Sequence, residues 1–133
     1  MDTDQIAVLE ECAAASLAGT ATFPEIIGRL AAIEVERYHA DYSRHETTYY
    51  LPDGDSHVVK LDHPPQAIGA TFSAAGVEAA VRASQRGEIK YLEFLARSMA
   101  AGCVGYFVQI AGRQVLYFGR NGEVHIERLP SPS

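Results

Sequence analysis

Apolar positions in this chain recur with two different periods, and the switch between them happens twice. Between Asp4 and Ala18, the residues Ile6, Leu9, Ala13 and Leu17 fall on one side of a helix, and Gly19 supplies a stop. Thr3 or Asp4 is placed to cap it. A second helical pattern begins at Pro24, a favoured first-turn residue, and presents Phe23, Ile26, Ile27 and Leu30. The period then drops to two over Glu36–Tyr42, Thr47–Leu51 and Ser56–Leu61, which predicts three strands. The same succession returns further on. A helix over Ser73–Arg86 buries Val77 and Val81 and stops at Gly87. Another presents Tyr91, Phe94, Leu95 and Met99 and ends at Gly102. Strands over Val104–Ile110, Gln114–Gly119 and Glu123–Arg128 complete the second set.

The recurrence has a fixed offset of 68 residues. It lays Ala15-Ser16 on Ala83-Ser84, Gly19 on Gly87, Glu25 on Glu93 and Arg29 on Arg97. Further along it matches Tyr38 with Tyr106, Tyr49 with Tyr117, Gly54 with Gly122, His57 with His125 and Leu61 with Leu129. No insertion is needed from Ala15 to Leu61, and glycines, turn residues and apolar period stay in phase. This predicts an internal repeat, which reorganises every other reading.

The fold class that follows is α+β: two α-α-β-β-β units, each an antiparallel three-stranded meander packed on helices, related by a pseudo-twofold. The expected boundaries are 1–62 for the first unit, 63–72 for a Pro-containing linker, 73–129 for the second unit and 130–133 for a disordered tail. A unit of this size is marginal alone, so the two should share one core. Asn121-Gly122 and Asp53-Gly54 each read as two-residue hairpin turns, and Gly112-Arg113 and Arg44-His45 as the other pair.

Those turns fix a register. One face of the first meander then carries Tyr38, Ala40, Tyr49 and Val58, matched by Tyr106, Val108, Tyr117 and Ile126, and this face is expected to meet the helices. On the opposite face His39, Tyr50 and His57 line up, with Asp41 in the next row. These four are the ligand-binding candidates, because a neutral imidazole beside a carboxylate suits proton transfer. The competing view is a half-solvated sheet surface, on which Tyr, His and Thr are simply good strand residues. Strand spacing would set His39 and His57 roughly 10 Å apart, too wide for two ligands of one zinc. The second meander puts Phe107, Phe118 and His125 in the same row, and two phenyl rings together argue for an interface. His45 and His63 read as solvated.

Composition narrows the classes. A net charge of −6 repels phosphate backbones, which makes nucleic acid an improbable partner. The acidic start lacks a signal peptide's basic region, and no apolar run is long enough for a bilayer, so the expected location is cytoplasmic and no membrane partner is expected. Cys12 and Cys103 read as buried small hydrophobes rather than a disulfide framework. There is no phosphate loop, dinucleotide fingerprint, nucleophile elbow or zinc spacing. No catalytic residue, metal or cofactor is therefore expected.

Two stretches, "YHADYSRHETTYYLPDG" and "SQRGEIKYLEFLARSMAAGCVGYFVQIAGRQVLYFGRNGE", resemble the YdfO-like domain-of-unknown-function family. These are small bacterial and prophage-encoded proteins, some labelled "phage envelope protein". The likeness spans Ile6 to Glu127 and includes Phe23-Pro24-Glu25-Ile26 and Gly102-Cys103-Val104-Gly105-Tyr106. It implies a small α+β protein with no established activity and no catalytic residues to transfer. The envelope label finds no support in this sequence. The expectation is a non-enzymatic protein that binds a protein partner or itself as a homodimer through the second sheet faces. The alternative is a small-molecule or metal binder, or an enzyme, using His39, Asp41, Tyr50 and His57.

Overall fold

A computed structural model describes residues 1–129. The proposed tail at 130–133 lies outside the described residues. Helix α1 runs Thr3–Ala18 and is capped by Asp2, one residue earlier than the sequence suggested. The Asp2 carboxylate accepts from the Gln5 N–H at 2.8 Å, and the Gln5 side chain accepts in return from the Asp2 N–H at 3.0 Å. Helix α2, Phe23–Ala32, starts on the same device, with Thr22 and Glu25 exchanging hydrogen bonds. Strands β1 (Arg37–Asp41), β2 (Glu46–Tyr50) and β3 (Ser56–Lys60) follow. The second half repeats the order with α3 (Ala74–Gln85), α4 (Tyr91–Ala100), β4 (Cys103–Gln109), β5 (Gln114–Gly119) and β6 (Val124–Arg128).

The two meanders join edge to edge. Their strands form one antiparallel sheet in the order β3-β2-β1-β4-β5-β6, with β1 and β4 side by side at the centre. The offset of 68 maps His39 onto Phe107, and these two residues are paired across that central seam. The approximate twofold relating the halves therefore passes between them. The backbone repeats in finer detail too. The eight described residues with positive φ fall into four pairs 68 apart: Gly19/Gly87, Glu34/Gly102, His45/Arg113 and Gly54/Gly122.

All four helices pack on one side of the sheet. That side buries Tyr38, Ala40, Thr47, Tyr49 and Val59 from the first half and Tyr106, Val108, Val115 and Tyr117 from the second. Across it runs a diagonal of rings, His57, Tyr49 and Tyr38 continuing into Tyr106, Tyr117 and His125. Leu9, Leu30, Val77 and Leu95 close the core from the helices, each 0–1% exposed. Cys12 and Cys103 are buried free thiols in this core, and burial pushes both up in pKa. Inside it the Tyr42 hydroxyl lies against Ser98 Oγ at 3.0 Å, and the Tyr91 and Tyr106 hydroxyls pair at 2.7 Å. The linker is tied to the C-terminal end of α4. Gly69 N–H donates to the Met99 carbonyl and Ser73 N–H to the Ala101 carbonyl, at 2.8 and 2.7 Å.

Two hairpins correct the expected register. The β2–β3 connection is a three-residue loop, Pro52-Asp53-Gly54, closed by Leu51 N–H donating to the Asp55 carbonyl at 2.9 Å. The β5–β6 connection is its counterpart, Arg120-Asn121-Gly122, closed from Gly119 to Glu123 at 2.9 Å. In both, glycine takes the left-handed position after a tight turn, φ 93° and 87°, which is the three-residue hairpin design. One extra loop residue turns every side chain of β3 and β6 to the other face. The β1–β2 and β4–β5 loops hold four residues instead of two, so they slide the pairing by an even number and leave the faces unchanged.

Candidate functional site

The side of the sheet away from the helices is open, and its pairing lays out three rows. The first reads Ser56, Tyr50, Arg37, Gln109, Gln114, Arg128. The middle row is Val58, Thr48, His39, Phe107, Leu116, Ile126. The third is Lys60, Glu46, Asp41, Gly105, Phe118, Val124. Three ligand-binding candidates, His39, Asp41 and Tyr50, thus share this face, and so do Phe107 and Phe118. His57 does not. It points to the helix side beside Tyr49, with Nε2 3.7 Å from Glu10 of α1. His125 is likewise on the helix side, paired with Tyr117, and its Nε2 is 2.8 Å from Glu127 Oε1. Val58 and Ile126, expected under the helices, are instead exposed on the open face at 46% and 51%. All four reversals follow from the extra loop residue before β3 and β6.

His39 sits at the centre. Its ring stacks on Phe107 with centroids 4.5 Å apart and planes 13° from parallel, and Phe118 stands 5.9 Å away. Gly105 makes room for this close seam, since a Cβ there would meet the Ala40 carbonyl oxygen at 2.5 Å. Asp41 does not turn toward His39. Its Oδ1 accepts from the Ser43 and Arg44 N–H groups at 3.1 and 3.2 Å, the local pattern of a turn-forming aspartate. Tyr50 pairs with Arg37 rather than His39, and the guanidinium lies 4.3 Å from its ring centroid. Arg37 is also ion-paired with Glu36. Glu46 accepts from Lys60 and Arg44 at 2.8 Å each, and these two cations hold its carboxyl below the usual range. The polar half of the face is thus a set of paired charges, not a group of side chains converging on one point.

Small-molecule geometry is correspondingly weak. A shallow groove of about 240 Å³ lies beside Arg37 and Gln109. A smaller cavity, about 70 Å³, is lined by His63, Pro64, Leu92, Leu95 and Met99. Both fall short of the roughly 300 Å³ at which ligand pockets begin. Among the described residues no three of His, Cys, Asp and Glu are grouped to hold a metal ion. No helix among them is long and apolar enough to cross a membrane.

Sequence reasoning missed two features. His63 is only 6% exposed, and its ring stacks on His45 with centroids 3.9 Å apart. Burial lowers its pKa, and the neighbouring His45 adds to this. Nothing in the Pro-rich linker signalled that it folds back over the first hairpin. The second feature is the apolar extent of the open face. Leu116, Val124 and Ile126 extend the Phe107/Phe118 patch out to the sheet edge. The alternation in "EVHIE" held the signal for Val124 and Ile126, hidden by the turn assignment, while Leu116 was already on this face.

No curated protein matches the chain. Residues 13–128 match the model of the family described as Protein of unknown function (DUF1398), and the chain belongs to that family.

Proposed function

We propose that this protein acts by binding another polypeptide through the open face of its sheet, and that it catalyses no reaction. One observation carries this reading. Exposed Val124 and Ile126 and half-buried Phe107, Leu116 and Phe118 form a contiguous apolar surface on the side away from the four described helices. The opposite side of the same strands is sealed by helices, so the uncovered apolar area is not a deficit of the core. Large exposed apolar patches mark interaction sites in soluble proteins. The paired charges beside the patch fit the polar rim that surrounds such cores. We place the protein among YdfO-like, prophage-derived proteins on the stretches quoted above. On the offset of 68 residues we read its halves as products of a duplication.

The test is solution mass together with binding of a hydrophobic dye. The wild type should either associate or bind the dye, and Phe118→Asp should abolish whichever is seen while leaving the circular dichroism spectrum intact. A wild type that is monomeric and binds no dye would end this reading.

A further inference from the structure

Resting on that reading, we propose that the occupant of the open face is a second copy of this chain. The two sheets stack face to face about a twofold axis that runs across the strands, along the row through His39 and Phe107. A closed dimer needs a patch complementary to itself. A sheet built from two like halves offers two ways to achieve this, with the axis either across the strands or along them. If the halves were identical, the internal twofold would make the two ways equivalent. The halves differ on this face, and the difference chooses between them.

With the axis across the strands, each strand lies over its own copy and the outer rows exchange. Arg37 then faces the partner's Asp41, and Tyr50 faces the partner's Glu46. Phe107, Leu116 and Ile126 lie on the axis row and meet their own counterparts. The apolar half meets the apolar half, with Gln114 over the partner's Phe118 and Arg128 over the partner's Val124 at its margin, and Arg37 opposes Asp41. With the axis along the strands, the first half covers the second. Glu46 would then press on the partner's Phe118, and Lys60 on the partner's Val124, stranding charges against apolar side chains. The first arrangement sets one charge, Arg128, against an apolar side chain, the partner's Val124, where the second strands two, and it alone opposes Arg37 to Asp41.

The area is adequate if the whole face is used. Six strands about 4.8 Å apart and five residues long cover about 29 by 17 Å, or about 500 Å² in projection. Side-chain relief raises the accessible area toward the roughly 600 Å² per partner at which standard interfaces begin. Aligned sheets pack about 10 Å apart at a crossing near −30°, which keeps residues on the axis row opposite their copies.

The experiment combines analytical ultracentrifugation with cysteine cross-linking of the full chain. The wild type should sediment at twice its 14.4 kDa chain mass. Leu116→Cys, close to the axis, should form a cross-linked dimer under mild oxidation, because Cys12 and Cys103 are buried and will not compete. Arg37→Asp should weaken the dimer at least about tenfold, and adding Asp41→Arg should recover much of the loss. Asp41→Arg also removes a turn aspartate, so the cross-link serves as the independent readout. A dimer in which Leu116→Cys cross-links only to Thr48→Cys would overturn the axis, since those two face each other in the rejected stacking. A monomer that binds dye would overturn the second copy as occupant while leaving the face open to a different protein. A monomer without dye binding would remove both proposals.

Discussion

The two halves of the sheet are identical at three of six positions on one side and at none on the other. Under the helices, Tyr38 matches Tyr106, Tyr49 matches Tyr117 and His57 matches His125. On the open side Arg37 answers to Gly105, His39 to Phe107, Thr48 to Leu116 and Tyr50 to Phe118. Packing explains the agreement. Each helix pair must fill the same space over the same three strands, and close-packed interiors resist changes of volume. The open side has no such constraint from within the chain. Its divergence is where the proposed contact would be made, on the apolar half.

The comparison can be broken at several points. The largest effect belongs to the shared core: Ile27→Ala and its counterpart Leu95→Ala should each lose about 2–5 kcal/mol in urea titrations, since both are buried. A marked inequality between them would show that the halves are not packed alike. A sign reversal comes next. Gly102 has φ 88°, and a Cβ there would meet the Thr71 carbonyl oxygen at 2.4 Å, so Gly102→Ala should cost at least about 2 kcal/mol. Its counterpart Glu34 holds the same left-handed conformation, φ 71°, with a side chain attached. Glu34→Gly should therefore be neutral or stabilising by up to about 1 kcal/mol, read as a higher melting temperature. On the open side, Val58 and Ile126 are counterparts of similar exposure but different neighbours. Ile126→Asp should weaken association about tenfold, and Val58→Asp only about two- to threefold, by sedimentation. Equal effects would mean that the apolar half is not the centre of the contact.

The smallest effect concerns pH. The His63 imidazole is buried, and its pKa is lowered below the usual 6.5. The unfolded chain then binds a proton that the folded chain resists. The associated stability is fully present above about pH 6.5 and is lost as pH falls through the lowered folded value. His63→Gln should flatten that part of the stability curve, measured by thermal melts between pH 5 and 8. An unchanged curve would show that the stacked pair with His45 does not resist protonation.

Much of this arrangement was legible in the residues, and the losses have two physical sources, an ambiguous turn and contacts distant in sequence. The order of helices and strands and their approximate limits followed from apolar period and from glycine placement. The tyrosine side of β1, β2, β4 and β5 was also read correctly, because loops lengthened by two preserve parity. The sides of His57, Val58, His125 and Ile126 were reversed, because Asp-Gly and Asn-Gly fit the end of a three-residue loop as well as a two-residue one. That single ambiguity joined His57 to His39 and Tyr50 as one candidate site, and kept Ile126 out of the open patch. The edge-to-edge junction of the halves was beyond reach, since no local pattern states which strand meets which. His63 was lost for the same reason: its burial depends on where the linker returns.

That central junction also shapes how the chain comes together in time. Every other strand pair closes a loop of three or four residues, while β1 and β4 join positions 64 to 72 apart, from Asp41 with Gly105 to Arg37 with Gln109. Loop-closure entropy rises with the logarithm of that separation, and folding slows as contacts become less local. The non-local cost of this sheet is concentrated in five residue pairs. Each half can settle its own hairpins quickly, and the seam at His39 and Phe107 sets the pace for the whole.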